Sequence, residues 1–155
     1  MNMIRSLSLF LLIALLGACA SAPDSGPGLE VGEQPATQVR PATGTSRPVL
    51  ALLEQANQAA RQGELAVAEA RLERALRIEP RNAVLWYYMA KLRLHQGRLE
   101  EAAGLAAKSN SLERGDNRQL QADNWRIIAH ARQRAGDESG AREADQRARA
   151  LANEY

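Results

Sequence analysis

The sequence predicts an all-α protein in which about three helix-turn-helix units form a repeat solenoid after an extended N-terminal segment. Three observations support this prediction. Helix-favouring residues (Ala, Leu, Arg, Glu and Gln) are abundant after residue 50, where β-branched residues are few. Residues 61–65 (RQGEL) recur as residues 95–99 (HQGRL), which places Gly63 and Gly97 34 residues apart. The apolar residues also recur at the spacing that amphipathic helices require.

The first 18 residues have the organisation of a secretory signal peptide. Arg5 supplies the positive charge, and residues 7–16 supply an apolar run that is too short to cross a bilayer as a stable helix. Two small residues then precede Cys19, the one cysteine of the chain. Because this cysteine stands where a signal peptide should end, we favour a processing site over the alternative, a buried structural thiol.

Residues 16–19 (LGAC) resemble the lipobox at which bacterial lipoproteins are cleaved and acylated. The resemblance implies that Cys19 begins the mature chain and carries palmitate or related acyl groups, and several acyl chains together give stable membrane anchoring. Ala20, in place of an aspartate, resembles the sorting signal of outer-membrane lipoproteins. The resemblance therefore implies a lipid anchor in the outer membrane, with the chain facing the periplasm.

Residues 19–48 contain five of the six prolines of the chain and no aromatic residue. Leu29, Val31 and Val39 are too few to build a core, so the segment is predicted to be a disordered tether. At about 3.1 Å per residue, a semi-extended chain of this length reaches up to roughly 90 Å. The tether is either a spacer that spans the distance to the cell-wall layer or a linker of no particular length.

Three helix-turn-helix units are predicted after the tether, at residues 49–82, 83–116 and 122–155. Trp86 and Trp125 lie 39 residues apart, and the five extra residues fall at 114–118. The period resembles that of tetratricopeptide repeats. The marks of that family in the first unit are Ala68, Leu72, Ala75 and Pro80. The later units depart from the pattern at Ala106 and Asp145, and a polar last helix suits a solvent-facing cap.

The tetratricopeptide resemblance implies a concave groove, lined by the first helix of each pair, that binds a peptide or a protein domain. By position in the repeat, the groove residues are Asn57, Arg61, Tyr87, Lys91, His95, Arg126, His130, Gln133 and Arg134. This set predicts a basic, partly aromatic groove, and Arg and Tyr are frequent at binding hot spots. The alternative is that they are merely solvated helix faces. Trp86 and Trp125 are predicted to be core residues.

Several functions are excluded by the residues that are present. The chain has 20 basic and 18 acidic residues, a balance that argues against a nucleic-acid binder. His95 and His130 have no helix-spaced ligand partner, so no metal site is expected. There is no glycine-rich phosphate loop and no nucleophile motif. A clamp for a C-terminal carboxylate is excluded because Leu53 and Tyr88 replace its lysine and second asparagine. We therefore predict no enzyme, no cofactor and no small-molecule substrate.

The layout of lipobox, tether and compact repeat domain resembles the outer-membrane lipoprotein activators of class A penicillin-binding proteins in pseudomonads. That resemblance implies a class A penicillin-binding protein as partner and a role in peptidoglycan synthesis for the cell wall. The docking face would be the groove or the outer side of the last helix, with Arg142, Arg147 and Arg149. The alternatives are a general periplasmic adaptor, or a scaffold for pilus assembly, outer-membrane protein assembly or peptidoglycan hydrolase recruitment.

Overall fold

The computed structural model describes residues 41–42, 44–114 and 117–153. These residues form six α-helices and no strand, which confirms the all-α helical repeat fold. The helices are α1 Arg47–Arg61, α2 Leu65–Ile78, α3 Ala83–His95, α4 Leu99–Leu112, α5 Arg118–Arg134 and α6 Glu138–Ala152. None of them has the length and hydropathy needed to cross a membrane.

The helices form three consecutive pairs, α1–α2, α3–α4 and α5–α6. The third pair begins at Arg118, four residues before the predicted start of the third unit, and Asn117 caps it by accepting a hydrogen bond from the Leu120 amide at 3.1 Å. The predicted signal peptide, the predicted lipidation site Cys19 and the predicted tether up to residue 40 lie outside the described residues.

The turn inside each pair has the same glycine-dependent geometry. Gly63, Gly97 and Gly136 have φ of 78°, 76° and 84°, a backbone region in which a side chain is strained. After the first of these glycines, the Glu64 amide donates to the Ala59 carbonyl at 2.9 Å, and the other two pairs repeat this bond. Such a bond is typical of the Schellman motif, which ends many helices. The recurring glycine therefore sets the reversal between the two helices of each pair.

The first helix of each pair supplies most of the large core side chains. Leu85 of α3 and Leu120 of α5 are fully buried. The second helices of the later pairs bury only small residues, namely Ala102, Ala106, Ser109, Gly140, Ala144 and Ala148. Small residues let neighbouring helices approach closely, and dense packing of this kind stabilises the interior.

A charged network joins the first pair to the second. Arg93 of α3, which is 9% exposed, contacts both carboxylate oxygens of Glu69 on α2, at 2.6 and 2.7 Å. Gln96 donates to the same carboxylate at 3.0 Å, and Glu101 of α4 lies 3.4 Å from the Arg93 Nε. The hydrogen bonds from Arg93 and then Gln96 lower the pKa of Glu69 to about 2. The carboxylate is therefore ionised across the physiological range.

A neutral network joins the second pair to the third. The Ser109 hydroxyl of α4 donates to the Ala83 carbonyl at 2.8 Å, and the Asn124 amide of α5 donates to Ser109 at 2.8 Å and to Asn110 at 2.9 Å. Ser109 and Asn124 are both 0% exposed. Since a buried polar group without a partner is costly, this network favours a single register between α4 and α5.

The chain before α1 is attached to the domain. The amide and hydroxyl of Ser46 donate to a Glu79 oxygen at 2.8 and 2.7 Å, and Asn82 donates to the Thr45 hydroxyl at 3.1 Å. Burial alone would raise the pKa of Glu79, but the hydrogen bonds from Ser46 and Asn82 hold it below its usual value. Contacts with the domain thus begin before residue 48, where the sequence predicted the tether to end.

Candidate protein-binding surface

The first helices α1, α3 and α5 meet around two adjacent tyrosines of α3. Tyr88 lies close enough to Asn57 of α1 for that side chain to lower its pKa. Tyr87 faces α5, where the charges of Asp123 and Arg126 act on its hydroxyl. The two rings lie 5.1 Å apart at an angle of 70°, a favourable edge-to-face arrangement. This tyrosine pair therefore lies near residues of both other first helices.

The two tyrosines differ in how much surface they offer to a partner. Burial raises the pKa of Tyr87, with a smaller contribution from Asp123. Burial also raises the pKa of Tyr88, although the neighbouring Asn57 side chain opposes the shift. Tyr87 is only 5% exposed, whereas Tyr88 is half-buried. Both hydroxyls stay protonated at neutral pH, but Tyr88 provides the accessible aromatic surface.

Lys91 places a positive charge beside this pair. Its Nζ lies 5.6 Å from the centroid of the Tyr87 ring and 6.0 Å from that of Tyr88, within the range of cation–π attraction. Within the described residues it forms no ion pair, so its charge is available to a partner. We call Asn57, Tyr87, Tyr88 and Lys91 the tyrosine face.

Two other predicted groove residues, Arg61 and Arg126, have charge that is already paired. Arg61 is exposed and lies 3.6 Å from Glu54. Arg126 of α5 is 2.5 Å from Asp123. His95 is exposed at the end of α3. The surface is consequently less basic than the sequence predicted, because acidic neighbours offset two of its arginines.

The remaining predicted residues lie elsewhere. His130 and Gln133 line a hollow of about 420 Å³ between α5 and α6, which Arg126 and Arg142 also line. Arg134 donates from Nη1 to the carbonyl of Leu94 at 2.8 Å and so caps the end of α3. The structure thus divides the predicted set between the tyrosine face, this α5–α6 hollow and a helix cap, rather than placing it in one groove.

Three residues of this region, Tyr88, Glu54 and Asp123, were not among the predicted groove residues. The pairing of Asp123 with Arg126 has i,i+3 helical spacing, so the sequence carried a signal for it. The role of Tyr88 depends on the packing of α3 against α1. Its contact with Asn57 joins residues of two different helices, and repeat position alone does not specify such a contact.

A second concave surface lies between α2, α3 and α4. Its volume is about 760 Å³, within the usual range of ligand-binding clefts. The apolar part of its lining consists of Leu76, Pro80, Trp86, Met89 and Leu105. We call it the α2–α4 groove. No sequence pattern predicted this groove, because three separate helices supply its lining.

Each tryptophan is half-buried beneath a cation, although the sequence predicted core positions. The Trp86 indole nitrogen donates to the Pro80 carbonyl at 2.8 Å, and the Lys108 Nζ lies 3.5 Å from the ring centroid. Arg147 covers Trp125 in the same way, at 4.6 Å. In both pairs, a cation of the second helix therefore holds that helix against a tryptophan of the first.

Within residues 41–42, 44–114 and 117–153, no three His, Cys, Asp or Glu side chains lie close enough together to hold a metal ion. The surfaces described above offer aromatic area, hydrogen-bond donors and positive charge. These are properties of surfaces that contact other macromolecules.

The sequence profile of the tetratricopeptide repeat family matches residues 59–122. Among solved structures, the globular C-terminal domain of P. aeruginosa LpoP is 42% identical, with a TM-score of 0.65, over 67% of this chain and 97% of that domain. The N-terminal domain of stress-induced protein-1 (STI-1) from C. elegans is 19% identical, with a TM-score of 0.61, over 66% of this chain and 83% of that one. The latter likeness concerns the fold alone. No curated protein matches the sequence.

Proposed function

Since this chain belongs to the tetratricopeptide repeat family and is LpoP-like, we propose that it is an outer-membrane lipoprotein that binds and activates a periplasmic peptidoglycan synthase, a class A penicillin-binding protein. The observation that carries the proposal is the 42% identity across 97% of the LpoP domain. The repeat fold is a protein-interaction module, so activation would proceed by contact alone. The synthase partner and the lipid anchor go beyond this likeness and are part of our proposal.

The anchor and the tether give the proposed activator its reach. The lipobox at residues 16–19 supports acylation of Cys19, and contacts with the domain hold the chain from Thr45 onward. The segment between these points would extend up to roughly 80 Å at about 3.1 Å per residue. A domain on such a tether can leave the outer membrane and meet a synthase that is anchored in the inner membrane.

Activation without catalysis requires differential binding. If the domain binds the active conformation of the synthase more tightly than the resting one, the population shifts towards the active form. A preference of about 1.4 kcal/mol would change the ratio of the two forms tenfold. Such a preference needs a surface of complementary shape and charge, and no catalytic group.

We assign docking to the tyrosine face. Tyr88 supplies accessible aromatic area, and Lys91 supplies a cation without an ion pair in the described part of the chain. A partner segment that presents a carboxylate or carbonyl beside an apolar side chain would suit both groups. Tyr87 is buried, and its ring packs edge-to-face against Tyr88 and so supports the position of that ring.

The decisive experiment is glycan polymerisation by the purified synthase in the presence of the soluble chain from residue 20 onward. We expect the unaltered chain to stimulate the reaction and Lys91→Glu to abolish most of the stimulation. The matched control is Arg142→Glu, a charge reversal of the same sign at the α5–α6 hollow. Absence of stimulation by the unaltered chain would refute activation. Loss of stimulation with Arg142→Glu alone would move the docking face to the last helix pair.

Crosslinking in intact cells separates the activator from a scaffold. The proposal expects a class A penicillin-binding protein among the captured partners. Recovery of pilus, outer-membrane assembly or hydrolase components in its place would support a scaffold. Deletion of residues 24–40 should abolish activation in cells but leave it intact with purified proteins, since only reach is lost. The deletion spares Thr45 and Ser46 because both bond the domain.

A further inference from the structure

The α2–α4 groove has two helices as its walls and a third as its floor. α2 and α4 both pack against α3 but scarcely against each other, so a cleft remains between them. Trp86 and Met89 of α3 form the floor, while Leu76 and Leu105 stand on the two walls. The hydrogen bond from the Trp86 indole to the Pro80 carbonyl holds the ring in place. An apolar surface with charged margins is typical of an interaction site.

This groove lies on a different side of α3 from the exposed part of the tyrosine face. Successive residues of a helix are rotated by about 100°, which places Trp86 and Met89 roughly 160° from Tyr88 and Lys91. A protein bound at the tyrosine face would therefore leave the groove open. An occupant of the groove is a second ligand, distinct from the proposed synthase contact.

One end of the groove is acidic. Glu73 of α2 and Glu101 of α4 both belong to its lining. Arg93 lies near both, but it already contacts Glu69 at 2.6 Å and Glu101 at 3.4 Å, and Arg98 contacts Glu101 at 2.7 Å. Three carboxylates thus share two guanidinium groups. A net negative charge remains at this acidic end, where Glu73 forms no ion pair with any described residue.

The other end of the groove is basic. Arg77 lines the α2 wall one turn after Glu73, and the Lys108 Nζ of α4 lies 3.5 Å from the centroid of the Trp86 ring. Neither cation forms an ion pair within residues 44–114 and 117–153. The nearby Glu79 does not line the groove, and its carboxylate is already hydrogen-bonded. The groove therefore carries opposite net charges at its two ends.

Gly104 on the α4 wall has no evident purpose within this chain. It lies in the interior of a helix, where glycine is less stable than alanine. Its φ is not positive, and an added Cβ would meet no heavy atom within 4 Å. Neither a turn nor internal packing therefore requires glycine here. A missing side chain in the lining of a groove does allow the backbone of a ligand to approach closely.

We propose that the α2–α4 groove binds an amphipathic helix of a partner protein, with the first turn of that helix at the acidic end and its last turn at the basic end. A helix has partial positive charge at its first turn and partial negative charge at its last, so this direction suits both ends. From Glu101 to Lys108 the wall is about 10 Å long, which accepts two turns. Apolar anchors at i, i+3, i+4 and i+7 would cover Trp86, Met89 and Leu105.

Titration of a synthetic peptide into the isotopically labelled chain from residue 20 onward tests the proposal by NMR. The peptide is about 14 residues long and has a side-chain crosslink, because short helices are marginal in water. It carries leucines at the spacing given above, lysines in its first turn and glutamates in its last. We expect shifts of the Met89, Gly104 and Leu105 amides, with His130 of the α5–α6 hollow unchanged. A peptide with lysines and glutamates exchanged should bind about tenfold more weakly, since like charges then meet at both ends.

Gly104→Leu is the sharpest variant. The added Cβ meets no atom of this chain, so we expect peptide binding to be lost while the midpoint of thermal unfolding is unchanged or higher. The matched control is Ala107→Leu, which adds the same side chain at an exposed position of α4 outside the lining and should retain binding. Arg77→Glu should weaken binding and remove much of the difference between the two peptides.

Four outcomes would overturn the proposal: no shift at Gly104, equal binding of the exchanged peptide, full binding by Gly104→Leu, or equal binding of an uncrosslinked peptide with a central proline. The last outcome would indicate an extended ligand. Shifts of the same amides that depend on protein concentration without peptide would also overturn it, by assigning the groove to a second copy. The measurement uses no synthase, and Lys91→Glu should leave peptide binding intact, so its failure is distinct from a failure of the proposed activation.

Discussion

The two junctions between helix pairs are built from different chemistry. The first uses the charged network of Glu69, Arg93 and Gln96, and the second uses the neutral network of Ser109 and Asn124. The side chains of Arg93 and Glu69 retain 11% and 24% exposure, whereas Ser109 and Asn124 are 0% exposed. Ions lose more than neutral groups when water is removed. The partly exposed junction can therefore hold charged side chains, whereas the fully buried junction uses neutral polar ones.

Among substitutions at the two junctions, Asn124→Ala should lower the free energy of unfolding the most. It removes one buried and one partly buried hydrogen bond and leaves a small void, so we expect the free energy of unfolding to fall by about 2–3 kcal/mol. Urea unfolding followed by circular dichroism measures the loss. Gln121→Ala, on a less buried position of the same helix, is the matched control. A loss below that of the control would mean that the neutral network contributes little to stability.

Arg93→Met should have the next largest effect, about 2 kcal/mol, because Glu69 loses its partner while retaining some access to water. A double-mutant cycle with Glu69→Gln isolates the pair. The double variant should be more stable than the sum of the two single losses predicts. Simple additivity of the two losses would show that the ions do not stabilise each other.

Acid should weaken the charged junction and leave the neutral one unchanged. The pKa of Glu69 in the folded chain, about 2, is lower than its ordinary value of 4.5, so this group contributes stability that is present above pH 4.5. That contribution is lost as the pH falls towards about 2. Urea unfolding of the unaltered chain and of Glu69→Gln over this range should converge as the pH decreases. Asn124→Ala should instead differ from the unaltered chain by a constant amount, and convergence there would contradict the assignment.

Glu101→Gln should have the smallest effect. Glu101 is 49% exposed and lies 3.4 Å from Arg93, and surface pairs of this type contribute about 0.5 kcal/mol or less. The midpoint of urea unfolding should barely move, and added salt should remove the difference between the two chains. A loss as large as that of Arg93→Met would place Glu101 inside the network rather than at its margin.

The repeated glycine turns show how local sequence specifies part of the fold. Gly63 and Gly97 recur 34 residues apart and Gly136 follows in the third pair, and each adopts the positive φ that glycine tolerates best. The cap at Asn117 is equally local, because an asparagine before a helix commonly accepts an amide hydrogen bond. These features depend on residues a few positions apart, so a local sequence pattern is sufficient to specify them.

The surfaces were less predictable than the turns. Tyr87 was predicted to line a groove but is 5% exposed, while its neighbour Tyr88 has the accessible ring. One residue along a helix is a rotation of about 100°, so a small change in how α3 sits between α1 and α5 decides which tyrosine is covered. The α2–α4 groove depends on the same packing, since its lining comes from three helices.

The sequence by itself determined the helix pairs, the glycine reversals and the supply of small residues at the second helices, because these follow from periodicity and backbone preference within one repeat. Only the tertiary structure decided which side chains of different pairs share a surface. It placed His130 and Gln133 in the α5–α6 hollow, and Asn57 beside Tyr88. The physical reason is that contacts between pairs depend on helix crossing and close approach, which many residues set together and no single repeat encodes.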